Sequence, residues 1–491
     1  MFCRAALAWA LLAPISLYAQ TLNGEQLAKT YCASCHVFPE PQLLTKIEWM
    51  HRIMPSMALW LGVESPNYEA LPEGRILEEA KIYPDAPLLS QKEWFAIWDY
   101  YKSEAPERQM IVAKPRAEMG LKNFRVRKVN FHAGAPMISL VKIDSPRQRL
   151  YVADGFANIL ATLDPSAKVL ARERLASPAV SLQATAAGVL LTLIGRFFPS
   201  DQMEGATLAL PEGSAVLTKL RRPTDVRPAD LNGDKRDDLV VCEFGNRLGR
   251  VSWHENIGNG QYRMHELLDR PGAIRSELRD FNGDGKLDIM VLTTQGREGI
   301  YIYYNEGSGR FRVETVLEQH PSFGYADFQL VDWDKDGDID LLTANGDNGD
   351  YPTPHKPYHG IRLYLNDGKS AFKEVYFFPM EGAYKVVPAD FDLDGDLDLA
   401  AIAFYPDFAD PLSFVLLENR GTLQLKPFTF PEANAGRWMV MDAGDLDTDG
   451  DTDIVLGSFV MGPTTIPVPP ALRERWKSEG AAVLILENTR K

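Results

Sequence analysis

The sequence predicts a two-part chain, a small all-α domain followed by an all-β seven-bladed propeller. Three observations predict it. A single Cys-x-x-Cys-His segment lies near the start among helix-patterned residues, an acidic motif recurs five times from residue 230 onward, and short alternating strands fill the intervals. Of the 491 residues 45% are hydrophobic and 24% charged, the balance of an ordinary globular protein. The net charge of −15 is the wrong sign for binding nucleic acid or an anionic membrane surface.

In chain order, residues 1–19 read as a signal peptide. Arg4 gives a basic start, residues 5–18 are almost wholly apolar, and Ala19 offers a small residue at the cut. The run is short for a membrane anchor, the reading that competes with it, and no later stretch approaches a spanning length. The mature chain is therefore expected to be exported, periplasmic or extracellular, with no transmembrane segment. Cys3 leaves with the signal, Cys32 and Cys35 sit together, and Cys242 is alone, so disulfides are not the expected source of stability.

Residues 23–31 (NGEQLAKTY) predict a short amphipathic helix opened by Asn23, with Leu27 and Tyr31 on one side. It runs into Cys32-Ala33-Ser34-Cys35-His36. Two thiols three positions apart on a turn can each add to a haem vinyl group, and the adjacent imidazole then reaches the iron. A bare Cys-x-x-Cys would also suit a redox dithiol or zinc. The immediate His, the export signal and the lack of a second Cys-x-x-Cys favour haem c, with Cys32 and Cys35 as thioethers and His36 as axial ligand. For the sixth position the sequence offers Met50, His51, Met54 and Met57. Met57 is preferred because Met54-Pro55-Ser56 reads as a bend that turns the next side chain back over the haem. His51 is the alternative. A thioether there raises the reduction potential and suits electron transfer. The other methionines are expected to fill gaps in an aromatic core with Trp49 and Trp60.

Residues 89–103 predict a further helix. Ser90 caps it, Glu93 completes the capping box, and Trp94, Ile97, Trp98 and Tyr101 form its packing face. These pieces resemble a class I cytochrome c domain over roughly residues 22–106, departing from it in the short interval between His36 and Met57. The domain is set at 20–108, with a linker at 109–120.

From residue 225 the chain repeats. Acidic loops start at Asp230, Asp280, Asp332, Asp390 and Asp445, separated by 50, 52, 58 and 55 residues, a period typical of propeller blades. Each places oxygen-bearing side chains at positions 1, 3, 5 and 9, as an EF-hand-like calcium loop does. The first uses Asp230, Asn232, Asp234 and Asp238, and the second Asp280, Asn282, Asp284 and Asp288. The third uses Asp332, Asp334, Asp336 and Asp340, and the fourth Asp390, Asp392, Asp394 and Asp398. The fifth uses Asp445, Asp447, Asp449 and Asp453. Position 7 is Arg236, Lys286, Asp338, Asp396 and Asp451 in turn, which fits a backbone carbonyl ligand whose side chain is free. Position 6 is Gly in four loops and Lys235 in the first, making that site the weakest. So many adjacent carboxylates would repel unless neutralised. Without them the chain would be slightly basic. Five bound calcium ions would therefore act structurally, locking the turns.

Between the loops, strands ending in Asn lead into tight turns, as in IYIYYNEGSGRFRVETVL, the pattern of antiparallel β structure. Over residues 225–488 these repeats resemble the FG-GAP/VCBS β-propeller family, whose integrin members carry calcium in the same loops. Residues 136–220 keep the strand rhythm without the acidic loops and are read as two further blades, giving seven. Phe124–Val129 repeats four residues of the outer-strand sequence Phe311–Val316. Residues 121–131 are therefore expected to complete the last blade and close the ring, in a propeller spanning 121–491.

Expanded loops at 194–205, 345–360, 404–413 and 457–480 are expected on one face, where functional residues concentrate. His355 and His359 are read there as surface histidines. The sequence shows neither a nucleophile triad, a nucleotide loop nor tryptophan-rich quinone repeats. Two functions fit: an exported c-type cytochrome whose propeller docks a partner, or a propeller dehydrogenase passing electrons from a small substrate to the haem. Either needs a redox partner protein or a small-molecule electron donor. The first is favoured.

Overall fold

The computed structural model describes residues 22–490 apart from 111–112, 114, 130–134, 186–187, 350–355, 409–410, 422, 461–467 and 479. The signal-peptide reading and His355 lie outside the described residues. An N-terminal helical unit packs its core on Trp49, Met54, Trp94, Ile97 and Tyr101. Its first helix, Gly24–Tyr31, is opened by an Asn23/Gln26 capping box, and the long helix Gln91–Glu104 by the Ser90/Glu93 box. The Trp49 ring lies 4.2 Å from that of Tyr101, tilted by 39°, and the Tyr101 hydroxyl donates to Pro39 O at 2.8 Å. Trp60, assigned to this core from sequence, is 39% exposed and meets Tyr83 instead.

The rest of the chain forms seven antiparallel sheets arranged as a β-propeller. Blades 1 to 7 are built on residues 138–174, 179–220, 223–268, 273–319, 325–379, 383–429 and 438–488. Each runs from an inner strand a to an outer strand d, and the a strands of successive blades pack side by side around the axis. The b strands are the driest elements, as in Asp288–Thr293 and Asp398–Ala403, because neighbouring blades cover both faces.

Blade 7 takes its outer strand from before blade 1. Phe124–Val129 pairs antiparallel with Val483–Asn488, Phe124 opposite Asn488 and Val129 opposite Val483. Arg127 fastens it to Glu487 at 2.8 Å and to Pro165 O of blade 1 at 3.0 Å. Just before it, Glu118–Met119 adds a parallel strand to the rim of blade 6.

The axial channel is lined by charges that the a strands bring together in pairs. Asp225 meets Arg227 at 2.9 Å, Arg227 meets Glu277 at 2.9 Å, Arg275 meets Asp327 at 3.1 Å, and Lys142 meets Asp442 at 3.1 Å. Burial alone would raise the Asp225 carboxyl, but Arg227 and the Ser276 N–H outweigh it and hold it below its usual range.

Candidate haem and cation sites

The helix Gly24–Tyr31 passes without a break into a 3₁₀ turn, Cys32–Ser34, with Cys35 just beyond. Cys32 is half-buried against Tyr101, and burial pushes its thiol up to about 11. Cys35 is exposed, and both are free thiols. Ser34 Oγ donates to Tyr31 O at 2.6 Å and tightens the turn. His36 Nδ1 lies 2.9 Å from Val37 O. A donor proton on Nδ1 leaves the lone pair of Nε2 free for a metal, the usual arrangement of a ligating imidazole. Burial lowers the His36 pKa, and the cation of Arg297 lowers it further. Two thiols on one turn and a neutral, oriented imidazole fit a covalent haem.

The methionines separate by burial. Met54 is 2% exposed and belongs to the core, whereas Met50 and Met57 are half-buried and pack on the cluster that also holds Cys32. His51 is exposed. The expected bend at Met54-Pro55-Ser56 is absent. The chain is helical throughout 46–60: a wide turn at Trp49–Ile53 carries Lys46–Glu48 into Met54–Trp60, and the fixed φ of proline suits the helix. Met57 is thus presented from a helix.

The helical unit sits on one face of the propeller, made by the b–c loops. Glu73, held at φ 59°, accepts from Ser200 Oγ at 2.6 Å and from Asp201 N–H at 2.5 Å in blade 2. Asp201 in turn accepts the N–H groups of Asn246, Arg247 and Leu248 of blade 3 at 2.9–3.0 Å. At the other side Tyr358 of blade 5 donates to Leu43 O at 3.4 Å. Between these anchors lies Arg297, in the b–c loop of blade 4, near enough to act electrostatically on both Cys35 and His36. Neither Glu73 nor Arg297 carries a motif, so sequence reading passed over them. His359, read as a surface residue, is 2% exposed, enclosed by the loop's fold back over Gly324.

The five acidic loops occupy the opposite face, between strands a and b. In three of them carboxylate oxygens converge within 4.8 Å: Asp332, Asp334 and Asp336; Asp390, Asp392 and Asp398; Asp445, Asp447 and Asp453. The first two loops have Asn at position 3. There the position-7 side chains, expected to be free, fold back on position 5, Arg236 on Asp234 at 2.5 Å and Lys286 on Asp284 at 2.6 Å. Cationic side chains thus neutralise the loops that carry fewer acids. Lys235 takes φ +67°, the conformation glycine supplies at position 6 of the other loops. Position 4 is also left-handed in all five, including Lys335, Leu393 and Thr448, a demand the sequence did not reveal.

Position 9 does more than offer a ligand. In every loop its buried carboxylate accepts one N–H from position 2 and a second from an Asn at or within two residues of the end of strand c. For Asp288 these are Phe281 at 3.0 Å and Asn305 at 2.7 Å. Asn256, Asn305, Asn366, Asn419 and Asn488 return a side-chain N–H to the carbonyl just before position 9. Each carboxylate oxygen keeps a lone pair for a cation. Burial raises Asp398 to about 7 and Asp453 to about 6.

Among known families, the FG-GAP-like repeat matches residues 280–343 and 332–401. These blades are FG-GAP-like repeats. The T-cell immunomodulatory protein homolog of Plasmodium falciparum (isolate 3D7) is 32% identical over 85 residues, which is 16% of this chain. The chain spans 12% of that relative's length. Among solved structures, a catalytically inactive virginiamycin B lyase from Staphylococcus aureus with quinupristin aligns at TM-score 0.46 and 12% identity. That alignment covers 74% of this chain and 99% of the lyase. A streptogramin B lyase aligns at 0.46 and 13%, covering 74% and 98%.

Proposed function

We propose that this protein is an exported c-type cytochrome whose FG-GAP-like propeller is a calcium-stiffened platform for the haem unit. The observation that carries the reading is the Cys32–His36 turn. Its two free thiols share one turn, and His36 has Nδ1 engaged by a carbonyl with Nε2 left over. Cys32 and Cys35 would hold the haem as thioethers, His36 would be the proximal ligand, and half-buried Met57 the distal one. A haem bound there supplies a one-electron couple. The chain's own residues fix the His36 ring, pack Cys32 against the Trp49–Tyr101 core, and leave Cys35 exposed to a redox partner. Calcium in the acidic loops would lock the far face. The converging carboxylates at Asp332, Asp390 and Asp445 support that role.

A small substrate on the propeller axis, the dehydrogenase alternative, would meet a filled mouth. Phe197 of blade 2 stacks at 4.7 Å on Phe459 of blade 7, which abuts Phe404 of blade 6. The test of the favoured reading is spectroscopic. The oxidised protein should show the weak far-red band of methionine-ligated haem, lost in Met57→Ala and kept in Met50→Ala. A spectrum unchanged in Met57→Ala would reject Met57 as ligand.

A further inference from the structure

We infer that the propeller contributes an ion pair, Arg297 with Glu318, to the haem environment and through it sets the reduction potential; this rests on the haem reading above. The helical unit is anchored at blade 2 through Glu73 and at blade 5 through Tyr358, so it lies across the b–c loops of blades 3 and 4. The blade 4 loop is a short reversal. Arg297 N–H donates to Gln295 O at 2.7 Å, and Thr293 Oγ1 donates to Arg297 O at 2.9 Å, so the base of the side chain is fixed. Its side chain is 42% exposed and reaches Glu318 through Nε and, at 3.4 Å, through Nη2. Glu318 also accepts from Tyr301 at 3.3 Å. The cation therefore projects from the loop that the helical unit covers, within electrostatic reach of Cys35 and His36, and Glu318 is its compensating anion.

A fixed positive charge beside an iron centre disfavours the oxidised, more positive state and raises the potential, while an anion does the reverse. Arg297 and Glu318 should act in opposite directions. The balance between them, set by blade 4 and not by the helical unit, makes the propeller part of the redox centre.

The experiment uses the full chain expressed in a periplasm that matures c-type cytochromes, with potentials measured by equilibrium titration against dye mediators. Arg297→Gln should favour oxidation about three- to tenfold, a tenfold change being about 59 mV for one electron. Glu318→Gln should shift the equilibrium the other way, and Arg297→Lys should restore most of the wild-type value. Loss of packing alone would not give opposite signs. Potentials unchanged in both neutral variants, or moved the same way, overturn the inference while leaving the haem in place. Absence of covalent haem from the wild-type chain overturns both the inference and the reading beneath it.

Discussion

Replacing Asp288 by Ala separates two roles that the acidic loops combine. The carboxylate is fully buried and takes the N–H groups of Phe281 and Asn305 at 3.0 and 2.7 Å. Removing it leaves two buried donors without acceptors, at about 1–3 kcal/mol each, so the loss should be roughly 4 kcal/mol. That is a large part of a total stability of about 5–15 kcal/mol. The assay is urea unfolding followed by tryptophan fluorescence, in EDTA and again in saturating calcium. Because the clamp needs no cation, this loss should already be present in EDTA, and it should be larger in calcium, where a ligand is lost as well. Asp284→Ala, at an exposed position bonded to Lys286, should change stability little in EDTA and act mainly by weakening the calcium-induced rise. If Asp288→Ala destabilised only in calcium, position 9 would be a ligand alone and the clamp argument would fail.

Three further expectations follow from the same geometry. Calcium should raise the unfolding midpoint, and calorimetric titration should give weaker binding at about pH 5.5 than at about pH 7.5. Asp398 and Asp453 hold protons up to about 7 and 6, and those protons must leave before a cation enters. Affinity unchanged by pH would count against their ligation. Glu298 is fully buried, accepts from Gly324 and Tyr325 N–H at 2.9 Å, and is raised by burial to about 8. The folded chain therefore holds its proton more tightly, and the stability this gives is complete below the ordinary 4.5 and fades as pH climbs through 8. Glu298→Gln should flatten that decline in urea midpoints measured across the window. Deleting residues 121–131 should unfold or aggregate the propeller by baring the edge of Val483–Asn488; an unchanged melting profile would refute the closure argument.

The propeller was legible because five of its seven blades repeat the same local instruction. An acidic turn, an apolar strand and a strand ending in Asn recur at near-constant spacing, and Phe124–Val129 repeats an outer-strand sequence far from the strand it pairs with. The role of those Asn residues was not legible, since their partner carboxylates lie 17 to 35 positions away and only the folded blade brings them together. Helix caps at Asn23 and Ser90 were readable because a capping box is local. The misread bend at Pro55 shows the limit of local rules, for the helical run from Lys46 continues through the proline by widening its turn at Trp49–Ile53. His359 was misjudged because its burial depends on a loop packing over Gly324, a contact between distant segments. Glu73, which docks on blade 2, and Arg297 were invisible for the same reason. Nothing near either one announces a partner.

The central claim, a haem held by Cys32 and Cys35 beside His36, is tested most directly by the mass and pyridine haemochrome spectrum of the exported chain after acid–acetone extraction. The account expects one haem per chain retained through extraction, with no thiol at either cysteine left to react. Haem that extracts freely, or a chain without haem whose two thiols both react, would contradict it.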